Sequence, residues 1–132
     1  MAAQYNSKHG IISHPKEELY MGFTDMRNLL AALPEDKKEG VTADFDSVKA
    51  TVQGFTIGVR VFERHPYDRI SLKDDGAPFH FTVTFHFDQA PEPGKTDFSI
   101  EVEADLNLMM KAMLGGKIKE GLDKIVDGLA SR

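Results

Sequence analysis

Histidines and carboxylates are the side chains here whose types suit catalysis or metal binding, so their spacing is the first question. His80 and His86 share a face of the alternating run FHFTVTFHF, flanking Thr82 and Thr84. Six residues of extended chain separate them, about 20 Å, too far to share a metal ion. Glu101, Glu103 and Asp105 alternate down a second run. Paired carboxylates carry out acid–base chemistry when one has a raised pKa. On the wet face of a sheet they pair instead across strands with cations such as Lys73 or Arg60. His14 and His65 each precede a proline, at a helix start and in a turn. His9 lies in the first extended segment and is the histidine best placed to enter a cavity. Glu63 has the parity of Val59 and Val61, which leaves its facing open, and Tyr20 offers a hydroxyl at a rim.

Familiar catalytic spacings are missing. The chain has no Ser–His–Asp order, phosphate-cradling loop, dinucleotide fingerprint or HExxH helix. With no cysteine, disulfides, thiolate nucleophiles and zinc–thiolate sites are excluded. No catalytic residue, metal or cofactor is expected. The net charge is −5, with Lys and Arg spread along the chain, so the basic footprint of a nucleic-acid binder is missing. The opening MAAQYNSKHGII holds no apolar run suited to a signal peptide, and nothing reaches the ~20 apolar residues of a membrane span. The expectation is one cytoplasmic domain over residues 1–132, of unspecified oligomeric state.

The elements that would position these groups follow from periodicity. Gln4 to Ser13 reads as a strand. Pro15 suits a helix start, and Leu19, Tyr20 and Phe23 follow at helical spacing. Asp25 is a good N-cap for a second helix that stops before Pro34, and EDKKEG reads as a charged loop. From Val41 the period becomes two. Six strands are expected, with Ile57 and Val59, then Phe79, Phe81, Val83 and Phe85, then Phe98 and Ile100, on one face. Short turns make them antiparallel neighbours.

The last segment, NLMMKAMLGGKIKEGLDKIVDGL, reads as helix, with three of the six methionines inside five residues. On an ideal wheel, Leu106, Met109, Met110, Met113 and Leu114 form one stripe. Ile118, Leu122, Ile125, Val126 and Leu129 form a second, about 140° away. One straight helix cannot turn both to the same sheet. The pattern therefore predicts a break at Gly115–Gly116, making the pair a hinge. The methionines read either as core gap-fillers or as the adaptable lining of a cavity.

This order of elements, a strand, two short helices, a six-strand meander and a long C-terminal helix, resembles the START-like (SRPBCC) superfamily. That group includes polyketide cyclases and dehydratases, lipid-transfer domains and birch-pollen-allergen-like proteins. HPKEELYMGFTDMRNL, LPED and ADLNLMMKAML carry the likeness, the last being similar to the strand-to-helix junction of a small bacterial subgroup. The resemblance implies an α+β helix-grip fold: a curved seven-stranded antiparallel sheet wrapped on the C-terminal helix around an apolar cavity. Phe55, Ile57, Val59, Phe79, Phe81, Val83, Phe85, Phe98 and Ile100 would face inward. Leu29, Leu33, Met110 and Leu114 would close the mouth, and Met113 would join the lining. No catalytic residue carries over. The implied activity is binding or carriage of a small hydrophobic or amphipathic ligand: a lipid, isoprenoid or aromatic metabolite. The alternatives are a cyclase- or dehydratase-type enzyme, which needs polar groups converging in the cavity, and a protein-interaction module using the same groove.

Overall fold

Alternating apolar side chains from Val41 onward do make a meander. β3 (Val41–Ala43), β4 (Ser47–Val52), β5 (Phe55–His65), β6 (Arg69–Asp74), β7 (Phe81–Gln89) and β8 (Thr96–Ala104) pair in sequence order, all antiparallel. In this computed structural model, residues 3–32, 35–52, 54–76 and 79–130 are described, with backbone alone for Leu29, Ala32, Lys37, Val52 and Phe55. β1 (Ala3–Asn6) and β2 (Gly10–Ile12) both pair with β8, so the first strands lie beside the last. α1 (Lys16–Phe23), α2 (Met26–Ala32) and a single turn, α3 (Glu35–Lys38), precede the meander. α4 (Leu108–Ala130) closes the chain and packs against the sheet. This is the helix-grip arrangement.

Three details differ from the sequence reading. The single N-terminal strand is two, because Ser7 to His9 face only Ser99 and Ile100 between the paired positions Asn6–Glu101 and Gly10–Phe98. Ser7 heals the gap: its backbone N–H donates to the Ile100 carbonyl at 2.8 Å, and its hydroxyl accepts the Ile100 N–H at 2.8 Å. The residues 35–38, expected as loop, form a helical turn with Lys38 paired to Glu35. Asp25 caps α2 as expected, accepting the Arg27 N–H.

The third difference is the helix. No break occurs at Gly115–Gly116; α4 is one uninterrupted helix of 23 residues, so the hinge is overturned. The two apolar stripes are real, and the fold resolves their conflict by burying the second and exposing part of the first, of which Leu106 stays buried and Met110 and Leu114 half-buried. Leu122, Val126 and Leu129 are buried, while Leu108, Met109 and Met113 stand 85%, 72% and 63% exposed. Met113 is thus outside the cavity lining expected for it. Met110 and Ile118 are half-buried at the edge of the core.

The glycines have another use, which is close approach. A Cβ on Gly10 would stand 2.5 Å from Cγ1 of Val126, and one on Gly115 would stand 3.1 Å from the Tyr5 hydroxyl. Hydrogen atoms in place of side chains let α4 settle directly on β1 and β2. Gly116 meets nothing within 4 Å.

Two substitutions test this continuity. Gly116→Ala should stabilise the protein by about 1 kcal/mol in urea denaturation, the ordinary gain of replacing glycine in a helix interior. A left-handed break would make the same change destabilising. Gly10→Ala should cost about 1–3 kcal/mol through overpacking against Val126.

Candidate functional site

The concave face of the sheet is divided. At one end aromatic side chains fill it. Phe23 from α1 stacks on Phe85 and Phe98 with centroids 6.1 and 5.7 Å away, and Phe87 lies 5.9 Å from Phe23 and 5.4 Å from Phe98. Tyr20 closes the cluster edge-on to Phe87. With Ile70, Leu72 and Ile100 these residues are buried. Phe85, Phe98 and Ile100 therefore do face inward, but into packed core. Such ring pairs add about 0.5–1.5 kcal/mol each beyond their buried area.

At the other end the face is open. A groove of about 180 Å³ runs between the sheet and α4. Ile57, Phe79, Phe81 and Val83, all expected from the sequence, line it together with Val102 and Ala104. Ile118 of α4 forms the opposite wall. The Phe79 and Phe81 rings contact each other at 5.5 Å. The last three residues had a readable signal. Val102 and Ala104 share the parity of Phe98 and Ile100, and Ile118 begins the buried helix stripe. Val59 and Leu114 are half-buried, Val59 being packed against the core. Leu33 lies outside the described residues, and the side chains of Leu29 and Phe55 likewise.

Every described residue lining the groove is apolar. Beside the lining residue Phe81 stands Asp74, whose Oδ1 accepts the Phe81 N–H at 3.1 Å and whose Oδ2 lies 3.1 Å from Nδ1 of His80. What burial it has works to raise its carboxyl, but the Phe81 N–H and the His80 ring outweigh that and hold it below the usual aspartate value. His80 itself is 88% exposed.

The other candidate groups are engaged elsewhere. His9 does not enter a cavity; its exposed ring lies 2.8 Å from Asp97. His86 sits 3.2 Å from Glu101 on the outer face, and His14 and His65 pair with Glu18 and Asp68. Among the described residues no group of His, Asp and Glu could hold a metal ion.

Glu63 has the parity of Val59 and Val61, which left its facing open, and a β-bulge turns it away from their side. The register of β5 slips between Val61 and Glu63, leaving Phe62 unpaired; Glu63 then opposes Ser71 and bonds Arg69 at 2.9 Å. The slip turns Arg64 inward instead, opposite Ile70. Arg64 donates from Nε to Thr24 Oγ1 at 2.7 Å, and from Nη2 to the Thr24 carbonyl at 2.8 Å and Asp46 Oδ1 at 2.7 Å. Its guanidinium also lies 4.8 Å from the Phe45 ring centre. Sequence periodicity had no signal for this residue, because a bulge changes parity without changing composition. Its donors are committed to joining the α1–α2 corner to the β3–β4 turn, which is a structural task.

No model of a known protein family matches the chain, and no curated protein is similar to it. Solved structures do match. Norcoclaurine synthase from Thalictrum flavum superposes with a TM-score of 0.71 at 10% identity, over 99% of this chain and 86% of its own. A structural-genomics protein from Rhizobium loti gives 0.69 at 14% identity, covering 99% and 96%. One from Chromobacterium violaceum gives 0.67 at 23% identity, covering 98% and 95%. At these identities the likeness is one of fold.

Removing the Arg64 guanidinium should cost about 2 kcal/mol, the scale of charge-assisted hydrogen bonds. Thr24→Ala added to Arg64→Ala should cost little more, a non-additivity that a double-mutant cycle reads directly. For Asp74, a lowered carboxyl stabilises the fold when ionised. Wild type should therefore exceed Asp74→Asn in stability above about pH 4, and the gap should close as acid titration passes below that range.

Proposed function

We propose that this protein binds and carries a small apolar ligand in the groove between sheet and α4, without transforming it. The observation that supports this reading is the groove's wholly apolar lining. Catalysis of the cyclase or dehydratase kind needs a proton donor or acceptor within hydrogen-bond reach of the bound molecule. The described lining residues supply none, and Asp74 and His80 spend their bonds on each other and on backbone. Size narrows the ligand. At about 180 Å³, the groove is close to the ~150 Å³ of a cavity that takes a benzene ring and below the usual ~300–1,000 Å³ of drug-sized sites. One ring or a short branched chain end enters, and the rest of a longer lipid or isoprenoid remains outside.

The proposal includes carriage in the cytoplasm, consistent with the described helices, none of which is long and apolar enough to cross a membrane. Native mass spectrometry of gently purified protein, followed by organic extraction, tests it. The expected result is an apolar mass that leaves on denaturation and is lost in Ile118→Trp, which fills the groove. Apo protein that also fails to take up farnesol or naphthalene would overturn the reading.

A further inference from the structure

A second pocket lies away from the groove, between α1, α2 and the C-terminal end of α4, with a volume of about 220 Å³. It shares no lining residue with the groove. Its wall on α4 is Leu129, eleven residues beyond Ile118 or about 16 Å along the helix. The buried side chains Ile12, Phe23 and Leu129 make its floor, and half-buried Leu19 adds a wall. Unlike the groove, it has a polar rim. His14, Glu18 and Asn28 stand there, with Nδ1 of His14 3.2 Å from Oε1 of Glu18. Asn28 donates its amide to the Gly22 carbonyl, which leaves Oδ1 as an acceptor.

Gly22 is the unusual residue. It stands near the end of α1, where glycine costs helix stability relative to alanine. Neither backbone nor packing requires it. Its φ is not positive, and a Cβ built on it would meet nothing within 4 Å. Gly116 and Gly121 also meet nothing, but they are exposed on α4. Gly22 lines a pocket, and the space that a side chain there would occupy is open.

We propose that this pocket is a second ligand site, distinct from the groove, for a small amine carried on one apolar ring. The floor matches a ring in size and polarity. The rim offers acceptors in the Glu18 carboxylate and the Asn28 Oδ1. An ammonium group donates three hydrogen bonds and brings the charge that Glu18 complements. A carboxylate of the same size would meet repulsion there.

Phenethylamine is the probe, with hydrocinnamate and ethylbenzene as its anionic and neutral counterparts, in nitrogen–proton correlation spectra of the full chain. Phenethylamine should shift the amide signals of Leu19, Gly22 and Leu129, and should bind more tightly than either counterpart. Gly22→Leu should weaken it by at least about tenfold while the protein still unfolds cooperatively at an unchanged or higher Tm. Gly22→Ala, the smaller change, should weaken it less. Glu18→Gln should weaken it about two- to fivefold, the share of an exposed ion pair. Ile118→Trp should leave it intact, so this site and the carrier reading fail or stand separately. Equal binding of hydrocinnamate, shifts centred on Phe81 and Ile118, full binding by Gly22→Leu, or no saturable binding would each overturn the proposal.

Discussion

The closest crossing of α4 over the N-terminal strands is the constraint on which the rest of this molecule depends. Gly10 gives up its side chain to Val126, and Gly115 gives up its own to Tyr5. With the helix pinned at these two points, about 16 Å apart along its axis by the helical rise, its rotation is set. The face carrying Leu122, Val126 and Leu129 is committed to the core. Met109 and Met113 of the other stripe are left to solvent. Helical hydrogen bonding favours continuity strongly enough that Leu108, Met109 and Met113 are left exposed rather than the helix being broken to bury them.

The same seating divides the interior. Where α1 lays Phe23 on the sheet, the inward phenylalanines of β7 and β8 meet other rings and pack solid. Farther along, no described side chain takes the place of Phe23, and the groove lies open between Ile57 and Ile118. The groove is thus the part of the concave face that the aromatic cluster does not reach. Its chemistry follows from strand parity alone: the inward positions are apolar because they were built as core.

Polar groups are kept out of the groove by two local devices. The bulge at Phe62 sends Glu63 to the outer face and hands the inward position to Arg64, beyond the groove, where Thr24 and Asp46 absorb its donors. Asp74 has the inward parity of Ile70 and Leu72, yet it turns its oxygens to the Phe81 N–H and His80. The titratable groups nearest the interior therefore hold strands and corners together, and the pocket with a polar rim lies elsewhere, at His14, Glu18 and Asn28.

By itself the sequence determined the order of the main elements (though not the split of the N-terminal strand or the turn α3), the antiparallel meander and the inward parity of β7 and β8, because period-two alternation in Phe79 to Phe87 and Phe98 to Leu106 has one physical solution in water. It also determined four of the groove's lining residues: Ile57, Phe79, Phe81 and Val83. It carried the two stripes of α4 but not their fate. Two stripes 140° apart are satisfied equally by a broken helix or by one stripe left wet, and only the crossing contacts at Gly10 and Gly115 select between them. Tertiary structure alone likewise decided which inward residues fill and which line, since that depends on where Phe23 lands. It decided the facing of Glu63 and Arg64 as well, because one extra residue in a ladder reverses parity while leaving the written pattern unchanged.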